Sequence, residues 1–149
     1  MLLERVGPQG RVLGVDLSPT MVRRASGQFD REIAAGRLRL QAGSLTRLPL
    51  EDGSVDGAIT VNTIYFIEEL DRVFAELARV MSSGGRAVVG IGDPENMARM
   101  PVTVHGYRLR PVADVVASAK LAGLVLQNQR RSGEGDDAAH VLVFAHASS

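Results

Sequence analysis

An aspartate at the end of an apolar run, followed at once by the start of a helix, is the most informative pattern in the sequence. It lies in GVDLSPTMV, residues 14–22, where Ser18 can cap a helix and Pro19 suits the first helical position. A carboxylate only accepts hydrogen bonds, and it can accept from two neighbouring hydroxyl groups at once. An acid at this place in a strand–helix unit is typical of sites that hold the ribose of a nucleotide-like cofactor. Asp16 is therefore the first candidate for a cofactor-binding residue.

The segment before this pattern lacks the features that usually come first. In cofactor-binding folds of this kind, a strand and a glycine-rich turn precede the acidic strand end. Only ten residues precede Arg11, and they contain neither feature. An absent central strand leaves hydrogen bonds unmade, at about 1–3 kcal/mol for each buried group. We therefore expect that the flanking strands close up, that another chain fills the place or, as we favour, that the chain is a fragment of a longer protein.

Apolar residues alternate between short strand-like runs and helical spacing, which predicts an α/β fold with a mostly parallel sheet and helices on its faces. The length of 149 residues suits one domain over residues 1–149. The helix after Asp16 is predicted to end at Gly36 and to bury one apolar face, made of Met21, Val22, Ala25, Phe29 and Ile33. The predicted strands are 12–15, 38–42, 57–61, 86–91, 124–129 and 141–145, and the other predicted helices are 1–6, 70–81 and 112–122.

Composition and charge exclude several classes of function. The 17 Lys and Arg residues balance the 17 Asp and Glu residues, so the formal net charge is 0 and no basic excess indicates nucleic acid or an anionic membrane. The chain has no Cys, and its three His residues lack the spacing of a zinc site, so we expect no metal. No apolar run reaches the ~20 residues of a membrane span, and no secretory signal is visible. A cytoplasmic location is the resulting expectation.

Three segments together resemble the class I S-adenosylmethionine-dependent methyltransferases, specifically the small-molecule group of the type 11 kind. GVDLSPTMV is similar to that family's acidic strand end and helix start. AGSLTRLPLEDGSVDGAITVNTIYFI, residues 42–67, resembles its adenine-side loop and fourth strand, and LDRVFAELARVMSSGGRAVVGIGDP, residues 70–94, resembles the following helix, Gly-Gly turn and fifth strand. The resemblance implies a doubly wound, Rossmann-like, mostly parallel sheet with an antiparallel C-terminal strand, here without its first strand and glycine-rich loop.

The resemblance also implies roles for individual residues in binding S-adenosylmethionine. Asp16 would accept hydrogen bonds from both ribose hydroxyls, and Leu17 would pack on the adenine face. Asn62 would lie near the methionine part of the cofactor. Further residues are implied beside the adenine edge (Gly43, Ser44, Leu45) and on the substrate side (Ile64, Tyr65, Phe66). The sequence departs from the family at Ser44, where an Asp is common, because a hydroxyl accepts from the adenine amino group without the help of a charge.

The histidines receive weaker interpretations. His105 lies in the irregular stretch 92–110, on the implied substrate side, and is read either as a general base or as a solvated loop residue. His140 and His146 bracket the last predicted strand, and we interpret them as partly exposed residues of a sheet edge. We name no catalytic residue, because displacement at a sulfonium methyl group can rest on positioning and a base is needed only when the acceptor loses a proton.

The sequence supports three hypotheses about function. The first is methyl transfer from S-adenosylmethionine to a small-molecule acceptor that the sequence does not specify. The second is a truncated, non-catalytic domain of the same type that serves as a binding or assembly module. The third is a nicotinamide-binding Rossmann fragment, which shares the acid at the end of its second strand. A homodimer is compatible with the sequence, and no feature of the chain tests it.

Overall fold

A computed structural model describes residues 2–98, 108–134 and 138–146 of the chain. Contacts between backbone positions divide the chain into two compact units, Met1–Pro49 and Leu50–Ser149. The hydrogen-bonded strands likewise form two sheets, one of two strands and one of four. The prediction of one domain over residues 1–149 stays a prediction.

The first unit is built on two parallel strands. Val12 lies opposite Leu38 and Asp16 opposite Ala42, so both strands end at the same edge of the sheet. Parallel pairing requires a crossover between the strands, and the intervening helices supply it. The elements of this unit are α1 (Leu2–Arg5), β1 (Val12–Asp16), α2 (Pro19–Gln28), α3 (Asp30–Ala34) and β2 (Leu38–Ala42).

The helix predicted to run on to Gly36 is two helices in the structure. The backbone at Phe29 leaves the helical region, with φ −118° and ψ 35°, and α3 begins at Asp30. The predicted apolar face is also less buried than expected, since no residue of α2 is buried and Met21 is 51% exposed. A two-stranded sheet with strands about 4.8 Å apart is narrower than a helix of about 10 Å diameter. It therefore covers only part of the helix face.

Arg37, the residue before β2, ties the start of the first unit to its sheet. Its Nε donates to the carbonyl of Gly10 at 2.9 Å, and its Nη2 donates to the carbonyls of Leu3 and Gly7 at 2.9 and 2.7 Å. The carbonyls at the end of a helix have no partner within the helix, so a guanidinium that reaches them replaces the missing donors. This one side chain therefore holds the turn that connects α1 to β1.

The second unit contains a four-stranded sheet in the order β3-β4-β6-β5. β3 and β4 are parallel, and β6 runs antiparallel to both of its neighbours. The mixed α/β architecture and the antiparallel C-terminal strand are confirmed. The elements of this unit are β3 (Val55–Val61), a 3₁₀ turn (Ile64–Phe66), α4 (Leu70–Val80), β4 (Met81–Gly92), α5 (Pro94–Met97), α6 (Val112–Leu121), β5 (Leu124–Ser132) and β6 (Ala139–His146).

The core of the second unit lies between this sheet and the helices α4 and α6. Leu142 and Phe144 of β6 are completely buried, and the ring of Phe144 meets that of Phe74 from α4 edge to face at a centroid distance of 5.8 Å. Side chains of the opposite sheet face are more exposed: Ile59 is 58% exposed and Val125 49%. None of the helices in the described part of the chain has the length and apolarity to cross a bilayer.

The interpretation of His140 and His146 as residues of a sheet edge is wrong. β6 pairs with β4 on one side and β5 on the other, so it is an inner strand. Sequence order places this strand last, but its antiparallel pairing with β4 from Arg86–Ala145 to Gly92–Ala139 inserts it before β5. The partial exposure of both histidines agrees with the interpretation, whereas the position of their strand in the sheet does not.

Truncation of Phe144 is expected to destabilise the second unit strongly. Phe144→Ala removes a ring that is fully buried against Phe74 and is expected to lower the free energy of unfolding by about 3–5 kcal/mol, measured by urea denaturation. The control Val125→Ala changes a half-exposed valine of the same sheet and should cost roughly 0.5 kcal/mol. A loss of similar size in both variants would contradict this packing.

Arg37 is expected to control local opening at the start of the chain. Arg37→Met keeps an apolar stem but removes the donors to three carbonyls. Amide hydrogen exchange at Val6 and Gly10, which donate to Leu2 and Gly7, is expected to become about tenfold faster, equivalent to about 1.4 kcal/mol. Arg39→Met, a change at an exposed position of β2, is the matched control and should leave the exchange rates of these two amides unchanged. Equal acceleration of exchange by both variants would argue against this role of the Arg37 hydrogen bonds.

Candidate functional site

The carboxyl ends of β1 and β2 form the candidate site of the first unit. Ligands of open α/β sheets bind at the carboxyl ends of parallel strands. In this unit Asp16 is the last residue of β1 and pairs with Ala42, the last residue of β2. The N–H of Gly43, the residue after Ala42, donates to the carbonyl of Asp16 at 3.0 Å. The structure therefore brings Asp16 and the segment from Gly43 onwards together, two features that the sequence predicted separately.

The carboxylate of Asp16 is held in one orientation by the chain that follows it. Its Oδ1 accepts a hydrogen bond from the N–H of Ser18 at 2.7 Å. The hydroxyl of Ser18 in turn accepts from the N–H of Met21 at 3.3 Å and caps α2, which has Pro19 at its start. Asp16 is exposed, and within the described residues no bond to its Oδ2 is found. The result is a fixed carboxylate that still has room for ligand donors.

The neighbours of Asp16 present apolar and hydroxyl groups. Leu17 is 60% exposed, whereas Gly43, Ser44 and Leu45 are half-buried. The hydroxyl of Ser44 accepts a hydrogen bond from the N–H of Thr46 at 3.2 Å. The Ser44 and Thr46 hydroxyls also form a hydrogen bond with each other at 2.8 Å, in which either oxygen can be the donor. Thr46 was missed by the sequence interpretation, and the Ser-x-Thr spacing that favours such a turn is the signal for it.

In the second unit, Asn62 follows β3 in a strained backbone conformation. It has φ +54°, which places it in the left-handed region, and its N–H donates to the carbonyl of Gly90 at 2.9 Å. Asn is more tolerant of this region than most residues, yet a non-glycine residue there is uncommon and costs about 1–3 kcal/mol. Such residues concentrate at functional sites. The side chain of Asn62 is exposed.

The two aromatic residues after Asn62 lie in different surroundings. Tyr65 is 1% exposed, and its hydroxyl donates to the carbonyl of Gly92 at 3.0 Å. A Cβ on Gly92 would lie 2.8 Å from the sulfur of Met97 and 3.3 Å from the Tyr65 hydroxyl oxygen, so a larger residue here would have to displace the flexible end of the Met97 side chain. Phe66 is 56% exposed. Of the two, Phe66 is the side chain that presents a face to solvent.

Two arginines that the sequence interpretation passed over hold the chain before α6 against the turn after β3. The N–H of Arg108 donates to the carbonyl of Tyr65 at 2.9 Å, and its guanidinium pairs with Glu68 at 2.8 Å. Arg110 donates to the carbonyls of Ile67 and Glu68 at 2.6 and 3.0 Å. Nothing in the local sequence pattern predicts these long-range bonds. The predicted residue His105 lies outside the described residues.

A second group missed by the sequence interpretation lies where β4 ends. Asp93 is 6% exposed, and it pairs with Arg131 of β5 at 2.9 Å and lies 3.7 Å from the Nε2 of His140. The signal was available in the sequence, because Asp93 directly follows the apolar strand β4, a position similar to that of Asp16 at the end of β1. Within the described ranges, no three His, Cys, Asp or Glu residues are grouped so that they could hold a metal ion.

Comparison with protein families gives a match that covers the candidate residues from Asp16 to Phe66. Residues 1–89 match the model of a family described as "Methyltransferase domain". The matched residues include β1, β2, β3 and α4. They also include segments 14–22 and 42–67 and most of segment 70–94, which resemble the methyltransferases in sequence.

Among curated proteins, an arsenite methyltransferase of Halobacterium salinarum is 34% identical over 102 residues, which are 68% of this chain and 25% of that protein. A biotin biosynthesis bifunctional protein, BioHC, of Teredinibacter turnerae is 30% identical over 90 residues, or 60% of this chain and 16% of that protein. The chain thus spans about a quarter or less of the length of these relatives.

Solved structures share the fold. The PH0226 protein of Pyrococcus horikoshii OT3 superposes with a TM-score of 0.80 at 23% identity, covering 98% of this chain and 75% of that chain. The geranyl diphosphate C-methyltransferase of Streptomyces coelicolor A3(2), solved with Mg²⁺, geranyl diphosphate and S-adenosylhomocysteine, gives a TM-score of 0.75 at 14% identity over 93% of this chain and 63% of that chain. At these identities the likeness shows the fold. With the family match over residues 1–89, it shows that the chain belongs to the class I S-adenosylmethionine-dependent methyltransferase family.

Proposed function

We propose that the chain provides S-adenosylmethionine-dependent methyl transfer to a small-molecule acceptor, with Asp16 as the ribose-binding residue. The observation that carries the proposal is the carboxylate of Asp16, exposed at the carboxyl end of β1 and oriented by the N–H of Ser18 at 2.7 Å. The family match and the methyltransferases among the relatives support the same reaction. They disfavour the hypothesis of a non-catalytic module.

The residues around Asp16 suit the cofactor chemically. A carboxylate offers about four lone-pair sites, so the bond from Ser18 leaves acceptors for both ribose hydroxyls. Leu17, 60% exposed next to this carboxylate, offers an apolar surface for the adenine ring. We propose that the adenine edge lies beside Gly43, Ser44 and Leu45, because the bond from Gly43 to Asp16 fixes that segment beside the ribose-binding residue.

Ser44 gives the adenine side a weaker hydrogen-bond acceptor than an aspartate would. Its hydroxyl already bonds to Thr46 twice, which leaves at most part of its acceptor capacity for the adenine amino group. A neutral acceptor is also weaker than a carboxylate. In this proposal the affinity for the cofactor depends more on Asp16 than on the adenine edge.

The second unit is proposed to supply the residues for the methionine part and the acceptor. Asn62 is assigned to the methionine part, because its exposed amide follows β3 in a conformation fixed by the bond to Gly90. Phe66 and Tyr65 are assigned to the acceptor side, with the exposed Phe66 as the contact and the buried Tyr65 as its support. The arsenite methyltransferase and the geranyl diphosphate C-methyltransferase are named for chemically unlike acceptors, so neither substrate is transferred to this chain.

The cofactor, when bound, supplies a methyl group on a sulfonium sulfur, which is reactive without further activation by the protein. The chain's task is then to hold donor and acceptor in line and to exclude alternatives, and such positioning can contribute a large part of a rate enhancement. Ser18 and the start of α2 fix Asp16, and the bond from Asn62 to Gly90 fixes the turn after β3. Both hydrogen bonds reduce the conformational entropy that these residues would otherwise lose when the ligands bind.

Loss of the Asp16 carboxylate is expected to weaken cofactor binding. Asp16→Ala should raise the Kd for S-adenosylhomocysteine by at least about tenfold, because hydrogen bonds to a charged group are worth about 1.5–3 kcal/mol. Isothermal titration calorimetry on the full chain measures this. Asp30→Ala, which removes another exposed carboxylate of the same unit, is the matched control and should leave Kd unchanged.

The outcomes of this titration separate the hypotheses. An Asp16→Ala variant that binds as tightly as the wild-type chain would remove the proposed ribose role. Absence of binding by the wild-type chain to both S-adenosylmethionine and S-adenosylhomocysteine would count against the proposed function. Binding of NADH alone would revive the nicotinamide hypothesis.

Ser44→Asp is expected to strengthen binding through the adenine amino group. The new carboxylate can keep the bond from the Thr46 N–H and accept from the amino group, a gain of about 1 kcal/mol or roughly fivefold in Kd. S-inosylhomocysteine, in which a carbonyl replaces that amino group, is the control ligand and should gain nothing. Equal tightening for both ligands would show that Ser44 does not lie beside the adenine edge.

A further inference from the structure

The second unit contains a cavity on the face of its sheet that lies opposite to α4 and α6. The cavity has a volume of about 590 Å³, and residues of β4, β5 and β6 line it. This volume lies within the range of about 300–1,000 Å³ that is typical of small-molecule sites. Val125 and Val143 form its apolar wall, whereas the neighbouring Phe144 points to the other face, where it packs against α4.

Small residues around Arg86 explain why this space is open. Arg86 of β4 lies opposite Gly57 of β3 and opposite Ala145 of β6, so neither cross-strand neighbour has a side chain larger than a methyl group. Gly84, two residues earlier on β4, also lines the cavity. Residues that are directly opposite or two apart share one face of a sheet. The side chain of Arg86 is therefore next to small residues on three sides, which leaves room for a ligand.

Arg86 has a positive charge that no described residue neutralises. The side chain is exposed, and it forms no hydrogen bond or ion pair within the described part of the chain. No Asp or Glu is found among the described residues that line the cavity, and the other ionisable side chain there is that of His146. A guanidinium presents its donors in a planar fork that matches a carboxylate or a phosphate. The cavity is thus suited to an anion.

A bulge in β5 brings two amide side chains into the same cavity. Leu126 pairs with Phe144 and Asn128 pairs with Val143, so Gln127 is an extra residue without a partner of its own in β6. Successive side chains of a regular strand point to opposite faces, but a bulge redirects them. Gln127 and Asn128 therefore both line the cavity, and both are exposed. Their amides can donate hydrogen bonds to a ligand and accept them from it.

The cavity is separate from the strand ends that we assign to the methionine part of the cofactor and to the acceptor. The N–H of Asn62 donates to the carbonyl of Gly90, whereas Arg86 precedes Gly90 by four residues on β4. Four residues of a strand span about 13 Å. The cavity also shares no lining residue with the groups assigned to the cofactor or the acceptor. A ligand bound here would therefore be a second ligand of the protein.

We propose that this cavity binds a small organic anion with an apolar body. Arg86 pairs with the carboxylate or phosphate group of this ligand. Gln127 and Asn128 form hydrogen bonds with its polar substituents, and Val125 and Val143 pack against its apolar part.

Other classes of ligand satisfy only part of this arrangement. A neutral apolar molecule would remove Arg86 from water without compensating for its charge, which is costly. An inorganic anion would satisfy Arg86 but would leave Val125, which is 49% exposed, uncovered. An organic anion compensates the charge and covers the apolar wall at once. The site does not depend on the proposed function, because none of its residues takes part in it.

Titration of the full chain with three related probes, followed by ¹H–¹⁵N spectra, tests the site. The probes are 2-naphthoate, 2-naphthyl phosphate and the neutral 2-naphthamide. We expect saturable shifts of the backbone amide signals of Arg86, Asn128 and Val143 with at least one anion, and at least about tenfold weaker binding of the amide, because hydrogen bonds to charged groups are the stronger ones. The anion that binds more tightly identifies the group that Arg86 prefers.

Two outcomes of this titration would overturn the proposal. One is an affinity for 2-naphthamide equal to that for the anions, since the charge of Arg86 would then have no role. The other is the absence of saturable shifts at the cavity residues with both anions.

Substitutions at the cavity test the contact with Arg86. Arg86→Met removes the charge and keeps an apolar stem, and it is expected to raise the Kd for the tighter anion at least about tenfold. Val125→Asp supplies a counter-ion from the protein itself and is expected to weaken binding to a similar degree. Both positions are exposed, so the Tm of each variant should stay close to that of the wild-type chain.

Arg130→Met is the matched control, because it removes the charge of another exposed arginine of the same sheet that is not among the described lining residues. It should change Kd by less than about threefold, as expected for a charge that only contributes screened attraction. Equal weakening by Arg86→Met and Arg130→Met would show nonspecific attraction and would overturn the proposal.

Sedimentation velocity distinguishes a ligand site from a contact between two copies of the chain. A site that is open to a small molecule requires this sheet face to be free in solution, and we expect it to stay free at the concentrations of the titration. A dimer that Val125→Asp converts into a monomer would assign the face to a second copy of the chain and would overturn the proposal.

Discussion

Parallel pairing of strands places their carboxyl ends at a common edge, and the candidate cofactor-binding residues at the strand ends of each unit depend on this constraint. In the first unit, the pairing of Asp16 with Ala42 sets the ribose candidate beside Gly43. In the second unit, the pairing of Val61 with Gly90 sets Asn62 beside the end of β4. Within each unit, residues that are distant in sequence thus lie at one edge of that unit's own sheet, and no local sequence signal links them.

The insertion of β6 between β4 and β5 has the largest consequences for packing and chemistry in the second unit. As an inner strand, β6 buries Leu142 and Phe144 against α4 and α6. The same register carries His140 to the end of the sheet, within 3.7 Å of Asp93. The buried core and the contact between His140 and Asp93 therefore come from the same strand pairing, because the register decides which side chains of a strand lie on one face.

The proposed cofactor-binding residues of the first unit combine a strong hydrogen-bond acceptor with a weak one. Asp16 is oriented by Ser18 and the capped start of α2, so its carboxylate needs little rearrangement to accept from the two hydroxyls of the proposed ribose. Ser44 is neutral and already bonded to Thr46. This difference explains why the ribose candidate was evident in the sequence: a charged acceptor at a strand end has a characteristic pattern, whereas a hydroxyl in a loop fits many roles.

By itself, the sequence determined the order of the six strands and of the helices α1, α2, α4 and α6, together with the acidic end of β1, because each follows from the local spacing of apolar residues, caps and turns. It also carried the resemblance that the family match over residues 1–89 confirmed. The break at Phe29, the inner position of β6 and the group of Asp93, Arg131 and His140 were decided only by the tertiary structure. These features arise from contacts between residues distant in the chain, and the energy of such contacts is set by the whole sheet rather than by neighbouring residues.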